Sequence, residues 1–306
     1  MVPLVDVVGV GANSVDYVSL LPHHPEPQGQ WAKMRIRRQI ICSGGQTATA
    51  MVTCASLGLT ASYVGVTGND ENGRRIREEL QRRGVGADRA VIREAPNAFA
   101  VILVDESTGE RIVLWDRDER LSLTDQEIPT GLLAAARVVH VDDVDEGAAI
   151  RAARAGRSSG AVVTSDIDRL TSRVEELIAV VTYPIFAEHV PLQLTGDNDV
   201  ERALHRLRAS FPQLLTVTLG SRGAMALDGD RVIHAPGFRI DAVDTTGAGD
   251  LFRGGFIYAL LQGWPVEEVL RFANATAAVG CTRLGAMAGA PNLADVRALA
   301  AGTGNR

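Results

Sequence analysis

Residues 244–256 read Asp-Thr-Thr-Gly-Ala-Gly-Asp-Leu-Phe-Arg-Gly-Gly-Phe, and an apolar run continues from there to Leu261. Glycines at 247 and 249 let the backbone turn tightly and leave amide N–H groups free to point at an anion. The run from Phe252 to Leu261 predicts a helix. The turn therefore sits at a helix N-terminus, where free N–H groups and the dipole favour phosphate. Asp250 stands beside that anion site. A carboxylate there repels a phosphate, so it needs a reason to be present. General base for an attacking hydroxyl is one such reason; a plain helix N-terminal carboxylate is the other reading.

Working outward, strand and helix patterns alternate. Val5–Val10 is β-branched and closes at Gly9 and Gly11, as a buried first strand does. Residues 47–57 are small and apolar and stop at Gly58, which predicts a helix with a glycine end. Further strand patterns fall at 61–66, 138–141, 162–165, 215–219 and 225–227, with helical patterns at 72–83, 147–157, 171–180 and 199–210. Such alternation predicts βαβ units with right-handed crossovers, hence an α/β fold with a mostly parallel sheet between helix layers. Segments 15–40 and 98–116 break the pattern. Residues 99–104 and 111–115 flank Asp105-Glu-Ser-Thr-Gly109 as a hairpin, and 34–41 alternates weakly as a strand. They predict a small separate sheet inserted among the early units. No linker divides the chain, so residues 1–300 read as one domain, and 298–306 as a fraying end.

The chain has 306 residues, 46% hydrophobic and 22% charged, which excludes disordered and fibrous classes. Thirty-one basic against 37 acidic residues leave a net charge of −6, which speaks against nucleic acid or an anionic membrane as partner. Cys42, Cys54 and Cys281 are too scattered for a disulfide framework or a zinc site and read as reduced thiols of a cytoplasmic protein. The N-terminus lacks the basic region of a signal peptide, and no apolar run approaches membrane-spanning length. Gly9-x-Gly11 lacks the full dinucleotide fingerprint, and no P-loop pattern occurs. His23-His24, and His140 near Asp142-Asp143, read as structural rather than metal-binding, and Trp31, Trp115 and Trp264 as packing residues.

DTTGAGDLFRGGF (244–256) resembles the C-terminal signature of the ribokinase, or pfkB-type, carbohydrate kinases. Other segments follow in that family's order. Gly9-Val-Gly-Ala-Asn-Ser-Val-Asp16 resembles its opening strand and sugar-binding aspartate. Gly44-Gly45 with Thr47-Ala-Thr-Ala resembles its N-terminal signature. Thr218-Leu-Gly-Ser-Arg-Gly223 resembles its nucleotide-side turn, and Asn274 through Gly285 with Pro291 its adenine-pocket helix and following loop. The resemblance spans about residues 5–297 and implies a ribokinase-like three-layer sandwich whose inserted sheet is a lid and dimer contact. It implies ATP and Mg²⁺ as cofactors, with Asp250 as the base and the Gly247, Ala248 and Gly249 amides as the γ-phosphoryl anion hole. Asp16, Asn13, Gly44 and Gly45 would hold the sugar, and Thr218, Gly220, Gly223 and Asn274 the nucleotide. Asp244 and Thr246, with backbone of Gly280, Arg283 and Gly285, match positions that bind a monovalent cation such as K⁺ in relatives.

Two departures stand out. Thr49 occupies a position where the family often has Asn, and the stretch before Leu-Thr-Gly196, FAEHVPLQLTG, lacks the Asn of the usual NxxE. Glu188 supplies the acid, either as a Mg²⁺ organiser or as a surface glutamate. These substitutions and the stretch CTRLGAMAGAP (281–291) resemble the branch containing sulfofructose and ketohexose kinases. Arg35, Arg37, Arg38, Arg111 and Arg117 cluster in or beside the lid segments. They are either a solvated face or recognition groups for a phosphate, sulfonate or carboxylate, with Arg111 as a substrate contact; on a strand, Arg35 and Arg37 would share one face and Arg38 take the other. The expectation is an ATP-dependent kinase that phosphorylates a primary hydroxyl of a sugar, a ketose first. The alternatives are a nucleoside kinase of the same fold and a catalytically silent sugar-binding regulator.

Overall fold

A computed structural model describes residues 5–108 and 110–302. Residues 1–4, Gly109 of the expected hairpin turn and 303–306 of the expected fraying end lie outside them. The strands in chain order are β1 (Val5–Val10), β2 (Ser14–Leu21), β3 (Arg38–Gly44), β4 (Ala61–Val64), β5 (Val66–Gly68), β6 (Val91–Arg93), β7 (Phe99–Asp105), β8 (Arg111–Asp116), β9 (Ala136–Asp142), β10 (Val162–Asp166), β11 (Ile185–Ala187), β12 (Leu215–Thr218), β13 (Ala224–Asp228) and β14 (Arg231–Ala235).

The central sheet has two halves. β10-β9-β1-β4 is wholly parallel, and β11-β12-β13-β14 begins parallel and ends in two antiparallel steps. Parallel bridges Thr164↔Tyr183 and Ile167↔Phe186 join them along β10 and β11. The β-branched run of β1 follows from its burial on both faces. Val7 packs with Ala48 and Met51 of helix Gln46–Ser56. Val8 and Val10 turn to the opposite layer, with Ala149, Ile150 and Ala153 of helix Glu146–Ser158. A third cluster seats helices Ala248–Leu261 and Val266–Cys281 on β13 and β14 through Phe252, Phe256, Leu270 and Phe272.

The lid is a second sheet, in the order β3-β2-β7-β8. The β7–β8 hairpin forms as its alternation predicts. β3 differs: it starts at Arg38 and runs to Gly44, because Leu20 pairs with Arg38 and Ser14 with Gly44. Arg35 and Arg37 precede the strand, so strand alternation does not order them. The 61–66 pattern also splits at Gly65, after which β5 leaves the main sheet to pair with β6.

Directly opposed residues share a sheet face. Cys42, Asp16, Ala100 and Trp115 therefore point the same way across the lid, and Ile40, Val18, Ile102 and Val113 point with them two residues on. This is the face turned to the core, since a side chain at Gly285 would touch Cys42. The C-terminal ends of β1, β9 and β10 and the start of helix Ala248–Leu261 meet below it.

Candidate active site

Gly247 caps helix Ala248–Leu261 with φ +76°, a left-handed conformation that a side chain resists. A Cβ there would lie 2.6 Å from Cβ of Ala286, so the turn is also pressed against its neighbour. The Ala248 amide donates back to the Thr245 carbonyl at 3.2 Å. The Ala248 N–H is thus engaged within the turn, beside the Gly247 and Gly249 amides, which are open donors.

Asp250 lies in the helix's first turn. Burial pushes its carboxyl up to about 7, against the pull of Arg253 and with help from Asp16, Asp142 and Asp168. A carboxylate in that range holds a proton taken from an alcohol and gives it back near neutral pH. Across the cleft, Asp16 is 5% exposed and accepts from Ser14 Oγ at 2.9 Å. Burial lifts it to about 6, with Asp244 adding to the rise. Gly44 is what admits that carboxylate: a Cβ would sit 2.3 Å from Asp16 Oδ2. Gly45, at φ +95°, turns the lid strand into helix Gln46–Ser56.

Asn13 adjoins Gly45, where a Cβ would lie 2.4 Å from its Cα, but its side chain turns into the core. Its amide donates to Tyr63 Oη and the Val66 carbonyl, both at 2.8 Å, and its oxygen accepts from Asn97 Nδ2 at 3.0 Å. It ties the lid's root to the core, and its polar atoms are spent on protein. Arg111 reaches from the lid to the Thr245 hydroxyl beside the anion turn. Arg117 turns away, to the Leu121 carbonyl and the Ser122 hydroxyl. Arg37 faces Glu106, and Arg35 and Arg38 are exposed.

The four expected nucleotide residues line one cleft of ≈ 1050 Å³. Thr218 donates to the Phe186 carbonyl at 3.3 Å, and Gly220 and Gly223 turn the chain with positive φ. Asn274 donates to the Ala235 carbonyl at 2.9 Å, bracing the loop after β14 that forms the cleft's far wall. Gly249 and Ala248 close its inner end, so the cleft leads to the anion turn.

Asp244 joins the anion loop to the loop beyond helix Val266–Cys281. Its two oxygens accept from the Thr246 and Gly285 amides, each at 2.8 Å. The Thr246 hydroxyl beside it is buried without a hydrogen-bond partner. The Gly280 carbonyl accepts the Arg283 amide at 2.9 Å, and the Arg283 side chain is held by Asp295. Glu188 is ion-paired with Arg222 at the cleft mouth, so its carboxylate is engaged there. No group of three or more His, Cys, Asp or Glu among the described residues could hold a metal. The donors present fit a Mg²⁺ that arrives on nucleotide phosphates and keeps its waters, rather than a protein cage.

Two carboxylates beside the site were given no role in it by the sequence: Asp142, read there as structural, and Asp166. Asp142 accepts from the Ala12 amide and Thr47 Oγ1, both at 2.7 Å, and burial raises its carboxyl. Asp166 binds Arg253 at 2.6 Å. Both aspartates end parallel strands, and the carboxyl ends of strands in open α/β sheets are where ligands bind; that rule was the available signal. His140 is fully buried against Thr164 Oγ1 at 2.9 Å, a structural histidine. Trp31 stacks on His23 and Trp264 packs on Phe272. Trp115 is the exception among the tryptophans: it is 66% exposed, and the Arg169 guanidinium lies over it at 6.0 Å.

The profile of a family described as pfkB family carbohydrate kinase matches residues 14–293. An ATP-dependent ribose-1-phosphate kinase of Halopiger xanaduensis is 30% identical over 285 residues, covering 92% of this chain and 94% of its own. A nucleoside kinase of Methanothermobacter thermautotrophicus is 29% identical over 287 residues, covering 89% and 88%. A crystal structure from Agrobacterium tumefaciens, provisionally assigned as a ribokinase, superposes with a TM-score of 0.91 at 27% identity, covering 97% of this chain and 98% of that one.

Proposed function

This chain belongs to the pfkB family of carbohydrate kinases and is an ATP-dependent sugar kinase, and from that premise we propose how its residues divide the reaction. The carrying observation is Asp250 at the mouth of a left-handed turn, between a lid aspartate and a nucleotide-sized cleft. Asp250 takes the proton of a primary hydroxyl held by Asp16 and the lid backbone at Gly44 and Gly45. The freed oxygen bonds to the γ-phosphorus of ATP as the bond to ADP breaks. The Gly247 and Gly249 amides hold the phosphoryl oxygens, and Thr218, Gly220, Gly223 and Asn274 seat the nucleotide. Little covalent work falls to the protein in such a transfer; positioning and charge carry it. Closure of the lid keeps water from accepting the phosphoryl group. Bound with the nucleotide, Mg²⁺ would supply neutralising charge to the phosphates, and Asp244 and Thr246 would hold a K⁺ that adds to it.

The acceptor we favour is a ketose carrying an anionic group. Arg111 and Arg38 stand on the core-facing side of the lid. One relative is named for a phosphorylated sugar. Nucleoside phosphorylation is the second reading, favoured by Trp115 on the Asp16 face as a surface on which a base could stack. The lid also carries the homodimer contact in this reading, since Ile112, Val113, Leu114 and Trp115 are 41–66% exposed. ATP supply and three free thiols suit the cytoplasm, and no helix among the described residues is long and apolar enough to cross a membrane.

The test is ADP release over a panel of fructose, fructose 6-phosphate, sulfofructose, a keto-deoxy sugar acid, ribose and adenosine, with wild type and Asp250→Asn. An anionic ketose should give the highest kcat/KM, and the variant should lose about 10²- to 10⁴-fold in kcat while still binding ATP. A variant with over half of wild-type kcat refutes the base. Neutral fructose or ribose above every anionic candidate refutes the charge reading, and adenosine in first place establishes the nucleoside one.

A further inference from the structure

Arg253 follows Asp250 by three residues, which on a helix puts both side chains on one face. It is 3% exposed, although arginine is seldom buried. Its Nη2 pairs with Asp166 Oδ1 at 2.6 Å at the end of β10. Its Nη1 folds back over the helix start, where a Cβ on Gly249 would approach it to 2.5 Å. The absence of a side chain at 249 thus makes room for this guanidinium inside the turn that presents Asp250.

We propose that the buried Arg253–Asp166 ion pair is a positioning element that sets the pH range over which Asp250 acts as a base. This rests on Asp250 being the base. The groups around Asp250 come from four elements: Asp16 of β2, Asp142 of β9, Asp168 beyond β10 and Arg253 of its own helix. Three are acidic, and together with burial they oppose ionisation. Arg253 is the one cation among them. Asp166 divides that cation's charge, and burial raises its own carboxyl while Arg253 pulls it down. His140 also feels Arg253, but burial holds it neutral with a value near 3, so it adds no charge in the working range. With Arg253 in place the base sits at about 7. Without it, the carboxylates alone would hold the proton on Asp250 and stall proton transfer.

The experiment is the pH dependence of kcat/KM for wild type, Arg253→Met, Arg253→Lys and Asp166→Asn, with thermal melting and ATP binding as folding controls. Wild type should lose activity on the acid side with a midpoint near 7. Arg253→Met should move that midpoint up by one unit or more, about a tenfold deficit at pH 6 that closes at pH 9. Arg253→Lys keeps the charge and should stay within about 0.3 unit of wild type. Asp166→Asn frees the arginine's charge and should move the midpoint down. Equal loss for Arg253→Met at every pH, or an unmoved midpoint, overturns the proposal. If that variant does not fold, an Asp166→Asn midpoint that stays or rises overturns it instead. Failure of the base itself is seen separately, as an active Asp250→Asn enzyme.

Discussion

Gly247→Ala tests the anion turn where it is most constrained. Alanine at φ +76° costs about 1–2 kcal/mol for the left-handed backbone alone. The new methyl would also lie 2.6 Å from Cβ and 3.0 Å from Cα of Ala286. Neither is the far end of a flexible chain, and the Gly285 amide just before them is tied to Asp244. Overpacking of that kind costs about 1–3 kcal/mol more. The sum, about 2–5 kcal/mol, has two outlets. If the turn holds its shape, it appears as lost stability, of the order of 3–8 °C in Tm for a chain of this size. If the turn yields, the Gly247 and Gly249 amides move off the phosphoryl oxygens. Losing one such donor typically costs about 10²–10³ in kcat. Gly131→Ala is the control, because nothing lies within 4 Å of a Cβ there and its φ is not positive. It should be neutral or slightly stabilising. The assay pairs kcat at saturating ATP and sugar with a melting curve. Gly247→Ala within twofold of wild-type kcat and within about 1 °C of its Tm would refute the reasoning.

The Asp244 strap and the unpartnered Thr246 hydroxyl lead to an activity higher in K⁺ than in Na⁺ or Tris at equal ionic strength, a difference that Asp244→Ala should erase; equal rates in all three salts would remove the cation from the picture. Leu114, 55% exposed on β8, should lie in a lid-to-lid contact, so Leu114→Asp should elute as a monomer where wild type elutes as a dimer. A monomeric wild type at micromolar concentration would disprove that contact. Burial, with Asp16 and Asp244 nearby, pushes the Cys42 thiol up to about 12. Alkylation of Cys42 in the native enzyme at pH 8 should therefore be at least about 100-fold slower than in urea, since thiolate falls tenfold per unit; comparable rates would contradict the burial.

The turn at 247–250 was legible because everything it needs is contiguous. Two glycines, a carboxylate and an apolar helix pattern specify a left-handed cap and a dipole within one stretch of chain, whatever lies around it. The alternation of strands and helices was legible for a similar reason, since burial on two faces leaves a continuous β-branched run as in β1. The start of β3 was not, because its register is set by β2 and not by its own weak alternation.

Charge and direction were decided by packing. Arg111 starts a hairpin arm and Arg117 lies six residues on, just past its end, yet one reaches the anion loop and the other folds onto the Leu121 carbonyl. Asn13 sits within the stretch that resembles a sugar-binding motif, but Tyr63 and Asn97, brought in from other elements, take its amide and its oxygen. The partner of Arg253 is Asp166, 87 positions earlier by number. Periodicity and spacing determined that an acid would stand at this helix start. Its readiness to take a proton depends on charges from β2, β9 and the end of β10, because electrostatic energy follows distance in space, and only the tertiary structure brings those residues together.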